Sequence, residues 1–388
     1  MHKITSGWIN TLPLFFILLL PISGDRLGAF FLISLLLFLA LNLRSIRKPS
    51  TTHWVFIALL SQYLVFHLLK VFLSDGNLYV GHPASDPKSW ALALLAVPLM
   101  YIYVSTFEKL KSTFEFLVPA TTALCILTIG YHYFFGDSCR VRISGNLFFP
   151  SLVLATLSFF WAATFGQKSV LHSRIAALLI AASLISSANF FGTRGIFLSE
   201  LAVLGLGIAL LAIQKSRYAT GLFIVVIASL VIAVAIDYFA QCNFFLRSTR
   251  VISLPAEITA ADNSAGMRLD MWANALETIR LNPLFGTSME SELNNAIGPH
   301  RHVHNMYLSW AIWGGIVSLI SGILFLSALP IALGKRSLST NTTLVHFSLS
   351  GMWALAMLFD SFLVWPLFLT STVLLSFIAL GLTFDDEG

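Results

Sequence analysis

Charged residues are scarce in this 388-residue sequence. Asp, Glu, Lys and Arg make up 11% of it, whereas roughly a quarter is usual in soluble globular domains. Hydrophobic residues make up 57%, and they include 33 Phe and 9 Trp. So many large apolar side chains cannot all be hidden in one soluble core, but a bilayer solvates them on the outside of helices. The composition excludes a water-soluble enzyme and indicates a protein surrounded by lipid.

Cysteine is also scarce, since the sequence has only Cys125, Cys139 and Cys242. So few cysteines carry little information about the fold. On the topology described next, Cys139 and Cys242 lie at exterior span ends, in an oxidising compartment where a disulfide is possible. Their pairing is a hypothesis that the sequence does not decide.

Apolar runs of helical length predict an all-α polytopic membrane protein with about 12 transmembrane helices. The first run is interpreted as a retained span, because no small-residue cleavage site follows it. The predicted spans are residues 8–23, 26–44, 54–73, 89–106, 115–136, 147–166, 174–190, 194–213, 219–241, 305–333, 341–361 and 364–383. They divide the chain into helices 1–9 in residues 1–241, a large polar loop in residues 242–304, and helices 10–12 with the C-terminus in residues 305–388.

Basic residues predict the orientation of these spans. Short loops on the side that carries both termini collect Lys3, Arg44, Arg47, Lys48, Lys109, Lys111, Lys168, Arg174, Lys215, Arg217, Lys335 and Arg336, which predicts that this side is cytoplasmic. On the opposite side arginine predominates over lysine. Since arginine makes planar bidentate contacts to phosphate oxygens, this rim indicates an anionic ligand, and contact with lipid headgroups is the alternative.

A glycine-flanked turn, Phe191-Gly192-Thr193-Arg194-Gly195, connects two spans on the exterior side. It leaves one arginine projecting from a short connection, where glycine permits close approach. Glu200, further into the next span, could orient or neutralise Arg194. The alternative is a plain helical hairpin with a snorkelling arginine.

The polar loop contains an amphipathic helix over residues 264–280, with Ser264 as a plausible N-cap and Pro283 with Gly286 ending it. Its apolar face carries Met267, Met271, Trp272, Ala275 and Ile279, and its polar face carries Asp270, Asn274 and Glu277. Arg268 lies in its first turn, beside Trp272 at the edge of the apolar face. A cation at a helix N-terminus is unfavourable unless an anion binds there, so the position indicates a phosphate site. A surface arginine compensated by Asp270 is the alternative.

The segment Pro299-His300-Arg301-His302-Val303-His304-Asn305 leads directly into the tenth span. Three histidines at a spacing of two cannot all face one ion from a helix, so we expect no metal site. One imidazole acting as a general base near neutral pH is the preferred interpretation. The alternative is that a histidine caps the span.

Together these segments resemble the lipopolysaccharide O-antigen ligase family, within the wider group that includes O-antigen polymerases. The resemblance covers the topology of the whole chain. It is most specific in the Thr193-Arg194 turn, Arg268-Leu269-x-x-Trp272 with its Asn282-Pro283-Leu284-Phe285-Gly286 exit, His302-x-His304-Asn305-x-x-Leu308, and Phe359-Asp360-Ser361.

The resemblance implies a GT-C-type glycosyltransferase at the periplasmic face of the bacterial inner membrane. It implies transfer of O-antigen polysaccharide en bloc from undecaprenyl pyrophosphate to lipid A-core, by an inverting reaction without metal or other cofactor. The catalytic residues implied are Arg194, Arg268 and His304, the last as general base. Candidate substrate-binding residues are Arg140, Arg142, Arg301, His302, Trp272, Asn305, Lys70 and Asp360.

Among these candidates, Asp360 could orient His304 or an arginine. Lys70, together with His67 and His132, could line a cleft open to the bilayer; snorkelling of the lysine and helix contacts of the histidines are the alternatives. The expected partners are the lipid-linked donor, lipid A-core and membrane lipids, with no nucleic acid.

Three other functions compete with the ligase, and one of them is the transfer of glycan to protein, which the motifs do not distinguish. An O-antigen polymerase would share the donor and most motifs, but it would extend a second lipid-linked chain. A lipid or polysaccharide transporter would be expected to place ionisable groups near the bilayer midplane, with interrupted helices and inverted repeats. Here the ionisable groups gather at one face.

Overall fold

A computed structural model describes most of the chain. It covers residues 10–16, 18–19, 28–42, 48–73, 87–135, 148–190, 193–240, 263–287, 303–334, 344–345, 347–360 and 366–384. These residues form helices and their connections, and no strand occurs in this part of the chain. In a bilayer each helix satisfies its own backbone hydrogen bonds, which is why apolar runs adopt this structure.

The helices follow one another through the predicted spans. They are α1 (Gly28–Asn42), α2 (Thr51–Leu73), α3 (Pro87–Thr106), α4 (Leu110–Phe135), α5 (Phe148–Phe165), α6 (Val170–Ile185), α7 (Arg194–Ile213), α8 (Arg217–Ala240), α9 (Asn263–Leu281), α10 (Met306–Leu326), α11 (Ala328–Leu333), α12 (Met352–Ala356) and α13 (Pro366–Phe384). Two π-helical turns precede other elements, Ser186–Phe190 after α6 and Phe347–Gly351 before α12.

Six helices in the described residues are long and apolar enough to cross a membrane: α2, α4, α6 with its π-helical turn, α7, α8 and α10. Shorter apolar helices lie within α1, α3, α5 and α13. The chain is therefore a multi-pass membrane protein. The total of about 12 spans and the division at residues 241 and 304 stay predictions.

Large apolar side chains cover the outside of the bundle, as lipid contact requires. On α8, for example, Phe223, Ile224 and Val231 are more than half exposed. Inside, Trp90, Trp161, Trp310 and Trp313 are fully buried, and the indole of Trp310 donates to the hydroxyl of Tyr63 over 2.9 Å. This core fixes the relative positions of α2, α3 and α10.

Helix α10 differs from the single span predicted for residues 305–333. Non-helical backbone angles at Gly314 and Gly315 interrupt it, and Ser327 separates it from α11. An interrupted helix is one trait expected of a transporter. Here, however, the break is closed by the backbone of another segment of the chain, as described below.

Candidate functional site

The break in α10 is filled by the loop that follows α9. In a regular helix the Ile316 N–H would bond to the Ile312 carbonyl. Instead, Ile316 N–H donates to the Pro283 carbonyl over 2.8 Å, and the Ile312 carbonyl accepts from Thr287 N–H over 2.8 Å. The loop therefore satisfies the backbone groups that the break leaves unpaired, as buried N–H and C=O groups require.

Glycine makes this close approach possible. Gly286 and Gly315 have φ of +65° and +60°, in the left-handed region that favours glycine. A Cβ added at Gly286 would lie 2.5 Å from Gly314 N, and one added at Gly315 would lie 2.6 Å from the Pro283 carbonyl oxygen. The Asn282-to-Gly286 motif is thus a backbone wedge that locks α9 onto α10.

Lys70 holds the same loop from α2. Its ammonium Nζ donates to the Phe285 carbonyl over 2.9 Å. One turn earlier, His67 is fully buried, with its two ring nitrogens at 2.8 Å from the Tyr63 carbonyl and 2.9 Å from the Ser318 hydroxyl. His67 therefore contacts neighbouring helices, which was the alternative to its lining a cleft. Lys70 contacts the loop. A substrate contact by Lys70 stays a prediction.

Helix α9 lies on the bundle with the face that the sequence predicts. Met271 and Ala275 are fully buried, whereas Asp270 and Asn274 are exposed. The helix begins at Asn263, so Ser264 lies in its first turn and the prediction of Ser264 as N-cap is wrong.

The indole of Trp272 ties α9 to the segment before α10. Its Nε1 donates to the Val303 carbonyl over 2.9 Å, directly before His304. Arg268 lies four residues before Trp272, about one turn away on the same side of the helix. Its side chain is partly buried, whereas that of Arg280 in the last turn is 81% exposed. Arg268 therefore lies on the side of α9 that carries Trp272 and is less exposed than Arg280.

His304 has an unusual backbone and a carboxylate partner. Its φ of +52° is rare for a residue with a side chain and costs roughly 1–3 kcal/mol. Its Nδ1 lies 3.0 Å from Oδ1 of Asp360, with both side chains less than a fifth exposed. Strained backbone of this kind clusters at functional sites because the surrounding contacts enforce it.

Asn305 makes some of the contacts that hold the backbone of His304 in this conformation. Its side-chain oxygen accepts from Leu308 N–H over 3.2 Å, which makes it the N-cap of α10. Its amide nitrogen donates to the Leu358 carbonyl over 3.4 Å, and Met306 N–H donates to the Met357 carbonyl over 2.9 Å. The alternative in which a histidine caps this span is therefore wrong. Substrate contacts by Asn305 and Trp272 stay predictions beside these structural contacts.

The Thr193–Arg194 turn is built on the π-helical turn after α6. Thr193 N–H donates to the Ser187 carbonyl over 2.9 Å, and the Thr193 hydroxyl lies 2.8 Å from that of Ser151. The fully buried carboxylate of Glu200 accepts hydrogen bonds from the hydroxyls of Ser183 and Ser187. Glu200 thus braces the turn that carries Arg194.

This turn lies against the residue that precedes Asp360. A Cβ added at Gly195 would lie 2.5 Å from Cβ of Phe359, so the Phe359 side chain packs directly on the backbone of α7. Arg194 and Asp360 are each one residue from this contact. The packing of the Phe359 side chain on Gly195 therefore places the Arg194 backbone near the segment that carries Asp360, while the Arg194 side chain lies outside the described atoms.

Several predicted site residues fall outside the described part of the chain. They are Arg140, Arg142, Arg301 and His302, together with both members of the proposed Cys139–Cys242 disulfide. Their predicted roles are unchanged.

Sequence reasoning named Glu200 and Gly286 but missed the contacts that brace the site. Gly286, Gly314 and Gly315 lock the loop to α10, and the Glu200 carboxylate pairs with serines of the preceding helix. The glycines at 286, 314 and 315 were a signal of close backbone approach, but nothing in the sequence paired the two segments.

Comparison with known proteins identifies one matching family. The O-antigen ligase family model matches residues 175–323, a range that contains Arg194, Arg268 and His304. The match supports the O-antigen ligase family and thus confirms the resemblance; it indicates a glycosyl-transfer-related enzyme of the ligase or polymerase type. No curated protein matches the chain.

Proposed function

We propose that the protein is an O-antigen ligase that transfers O-antigen polysaccharide en bloc from undecaprenyl pyrophosphate to lipid A-core. The reaction takes place at the periplasmic face of the bacterial inner membrane, with both termini in the cytoplasm. The His304–Asp360 pair, held at 3.0 Å on strained backbone, is the observation that carries the proposal.

His304 acts as the general base. When its Nδ1–H donates to the Asp360 carboxylate, the lone pair of the neutral ring is on Nε2, which can accept the proton of the acceptor hydroxyl. Asp360 then orients the ring and stabilises the imidazolium that forms, as the acid does in a Ser-His-Asp triad.

The arginines act on the leaving group. The acceptor oxygen forms a bond to the anomeric carbon as the bond from that carbon to the diphosphate oxygen breaks, with inversion. Arg194 and Arg268 bind the departing diphosphate and stabilise its growing charge, because guanidinium groups match phosphate oxygens in bidentate geometry. Arg194, whose turn adjoins the Asp360 segment, and Arg268, whose helix contacts Val303, support this arrangement.

Reconstitution of the purified protein in liposomes tests the proposal. Undecaprenyl-diphosphate-linked glycan is the donor, and either lipid A-core or a second lipid-linked glycan is the acceptor. We expect lipid A-core to be glycosylated and His304→Ala to lower turnover about 10²–10⁴-fold, the usual contribution of general base catalysis.

His172→Ala is the matched control. His172 also pairs with a carboxylate, its Nε2 lying 2.6 Å from Oε1 of Glu115, but at the start of α6, the end of the bundle opposite Arg194. Its turnover should remain near that of the wild type. Wild-type turnover by His304→Ala would overturn the general base, and extension of the lipid-linked glycan instead of lipid A-core would indicate a polymerase.

A further inference from the structure

A cavity lies between α5, α6, α7 and α8, away from the His304 site. The open space enclosed by its lining is about 490 Å³, including the open mouth. On α7 its lining runs from Val203 to Leu211. At 1.5 Å per residue these positions are roughly 13–26 Å along the helix from Arg194. The cavity therefore lies toward the other end of the bundle.

The lining of this cavity is almost entirely apolar. Phe159, Ile180, Leu204 and Leu222 are among the side chains that form it. A helix is about 10–12 Å across with its side chains, so it would fill this volume within roughly one turn. A hydrocarbon chain is narrower and suits both the shape and the lining.

One hydroxyl in the lining has no hydrogen-bond partner. The Tyr218 hydroxyl is buried, and within the described residues no group accepts from it or donates to it. It lies against the backbone of Gly166. A buried unpaired hydroxyl costs free energy, and a ligand with an acceptor atom at this point would recover it.

The residues beside Tyr218 are basic. Lys215 lies in the connection between α7 and α8, Arg217 begins α8, and both are exposed. Lys168, next to the lining residue Gln167, already contacts Glu115 at 2.7 Å. Basic side chains next to the lining therefore favour an anionic group at this end of the cavity.

We propose that this cavity binds one acyl chain of an anionic glycerophospholipid. The chain occupies the apolar space, the ester carbonyl accepts a hydrogen bond from Tyr218, and the phosphate lies beside Arg217 and Lys215. This site is separate from the one proposed for the lipid-linked donor, whose diphosphate lies at the Arg194 end. It does not depend on the proposed function.

Two glycines on α7 provide a matched pair of variants. Gly207 lines the cavity, and a Cβ there would meet Leu344 at 3.5 Å, an ordinary contact. Gly205, two residues earlier, has nothing within 4 Å of an added Cβ. Gly207→Phe should fill the cavity, whereas Gly205→Phe adds the same side chain outside it.

Native mass spectrometry of delipidated protein, with palmitoyl-oleoyl phosphatidylglycerol or phosphatidylcholine added, tests the proposal. The wild type and Gly205→Phe should retain one phosphatidylglycerol, and Gly207→Phe should lose it. Arg217→Gln should lower the preference for phosphatidylglycerol about fivefold, the effect of one basic residue near an anionic lipid. Lys48→Gln, which removes an exposed charge elsewhere, should not change it.

Tyr218→Phe keeps the test decisive if Gly207→Phe does not fold. Without lipid its melting temperature should equal or exceed that of the wild type, because the lost hydroxyl has no protein partner. The upward shift in melting temperature caused by phosphatidylglycerol should be smaller than in the wild type. Equal lipid retention by Gly205→Phe and Gly207→Phe, or an unchanged lipid-induced shift in Tyr218→Phe, would overturn the proposal.

Discussion

Two irregular segments position the site: the turn between α6 and α7, and the break within α10. Different contacts stabilise them. The turn after α6 is braced largely by side chains, because Glu200 accepts from Ser183 and Ser187 and the Thr193 hydroxyl pairs with Ser151. The break in α10 is braced by backbone, because its unpaired groups bond to the Pro283 carbonyl and to the N–H of Thr287.

The difference determines which substitutions each break tolerates. A side-chain brace depends on polar atoms that a neutral isostere can partly reproduce. A backbone brace is insensitive to most side chains, but it requires that nothing lie between the two main chains. Glycine is therefore the critical residue at α10, and a carboxylate is the critical residue at the turn before α7.

Gly315→Ala should have the largest effect on the backbone brace. The new Cβ would collide with the Pro283 carbonyl oxygen, and a φ of +60° strains any residue but glycine. Strain and overpacking each cost roughly 1–3 kcal/mol, so we expect a loss of about 2–6 kcal/mol. Thermal unfolding in detergent, with transfer activity beside it, measures the effect.

The control for this prediction is Gly205→Ala, where an added Cβ meets nothing within 4 Å. It should be neutral or slightly stabilising, since alanine is the better helix former. If Gly315→Ala were as stable and active as Gly205→Ala, the wedge of the Asn282-to-Gly286 loop would not be required for the site.

Glu200 tests the side-chain brace, with a smaller expected effect. Glu200→Leu removes the acceptor of two buried serine hydroxyls and should cost about 1–3 kcal/mol. The Ser187 hydroxyl can still bond to the Ser183 carbonyl at 3.1 Å, which limits the loss. Glu200→Gln keeps an acceptor oxygen and should cost under about 1 kcal/mol.

Both the unfolding midpoint and the turnover should be lower in Glu200→Leu than in Glu200→Gln. The Gln variant is the matched control, because it preserves size and an acceptor oxygen while removing the acid group. Equal loss in both variants would mean that Glu200 acts as an acid rather than as a brace for the Thr193–Arg194 turn.

Local patterns in the sequence predicted much of this structure. The amphipathic pattern over residues 264–280 predicted α9 within one residue at each end, together with the burial of Met271 and Ala275. The apolar runs predicted where the helices lie, because lipid contact and helical periodicity are properties of neighbouring residues. The positions of Arg268 and Trp272 on one side of α9 follow from the same periodicity.

Long-range contacts could not be predicted in the same way. The bonds between Pro283 or Thr287 and α10 use main-chain atoms, which leave no side-chain pattern to pair the two segments. The contact between Glu200 and its serines depends on the register of α6 against α7, which the sequence of neither helix encodes alone. The pairing of His304 with Asp360 depended equally on packing.

Replacement of Lys70 has the smallest expected effect. It distinguishes anchoring of the loop from binding of the substrate. Its hydrogen bond to the Phe285 carbonyl is solvent-exposed, so Lys70→Met should cost only about 0.5–1 kcal/mol. Lys48→Met, which changes an exposed lysine before α2, is the matched control and should be neutral. If Lys70 acts only as an anchor of the loop, its loss should lower the unfolding midpoint slightly and leave KM for the lipid-linked donor unchanged. A several-fold rise in KM at an unchanged midpoint would instead assign Lys70 to substrate binding, and the backbone brace would then hold the loop without help from α2.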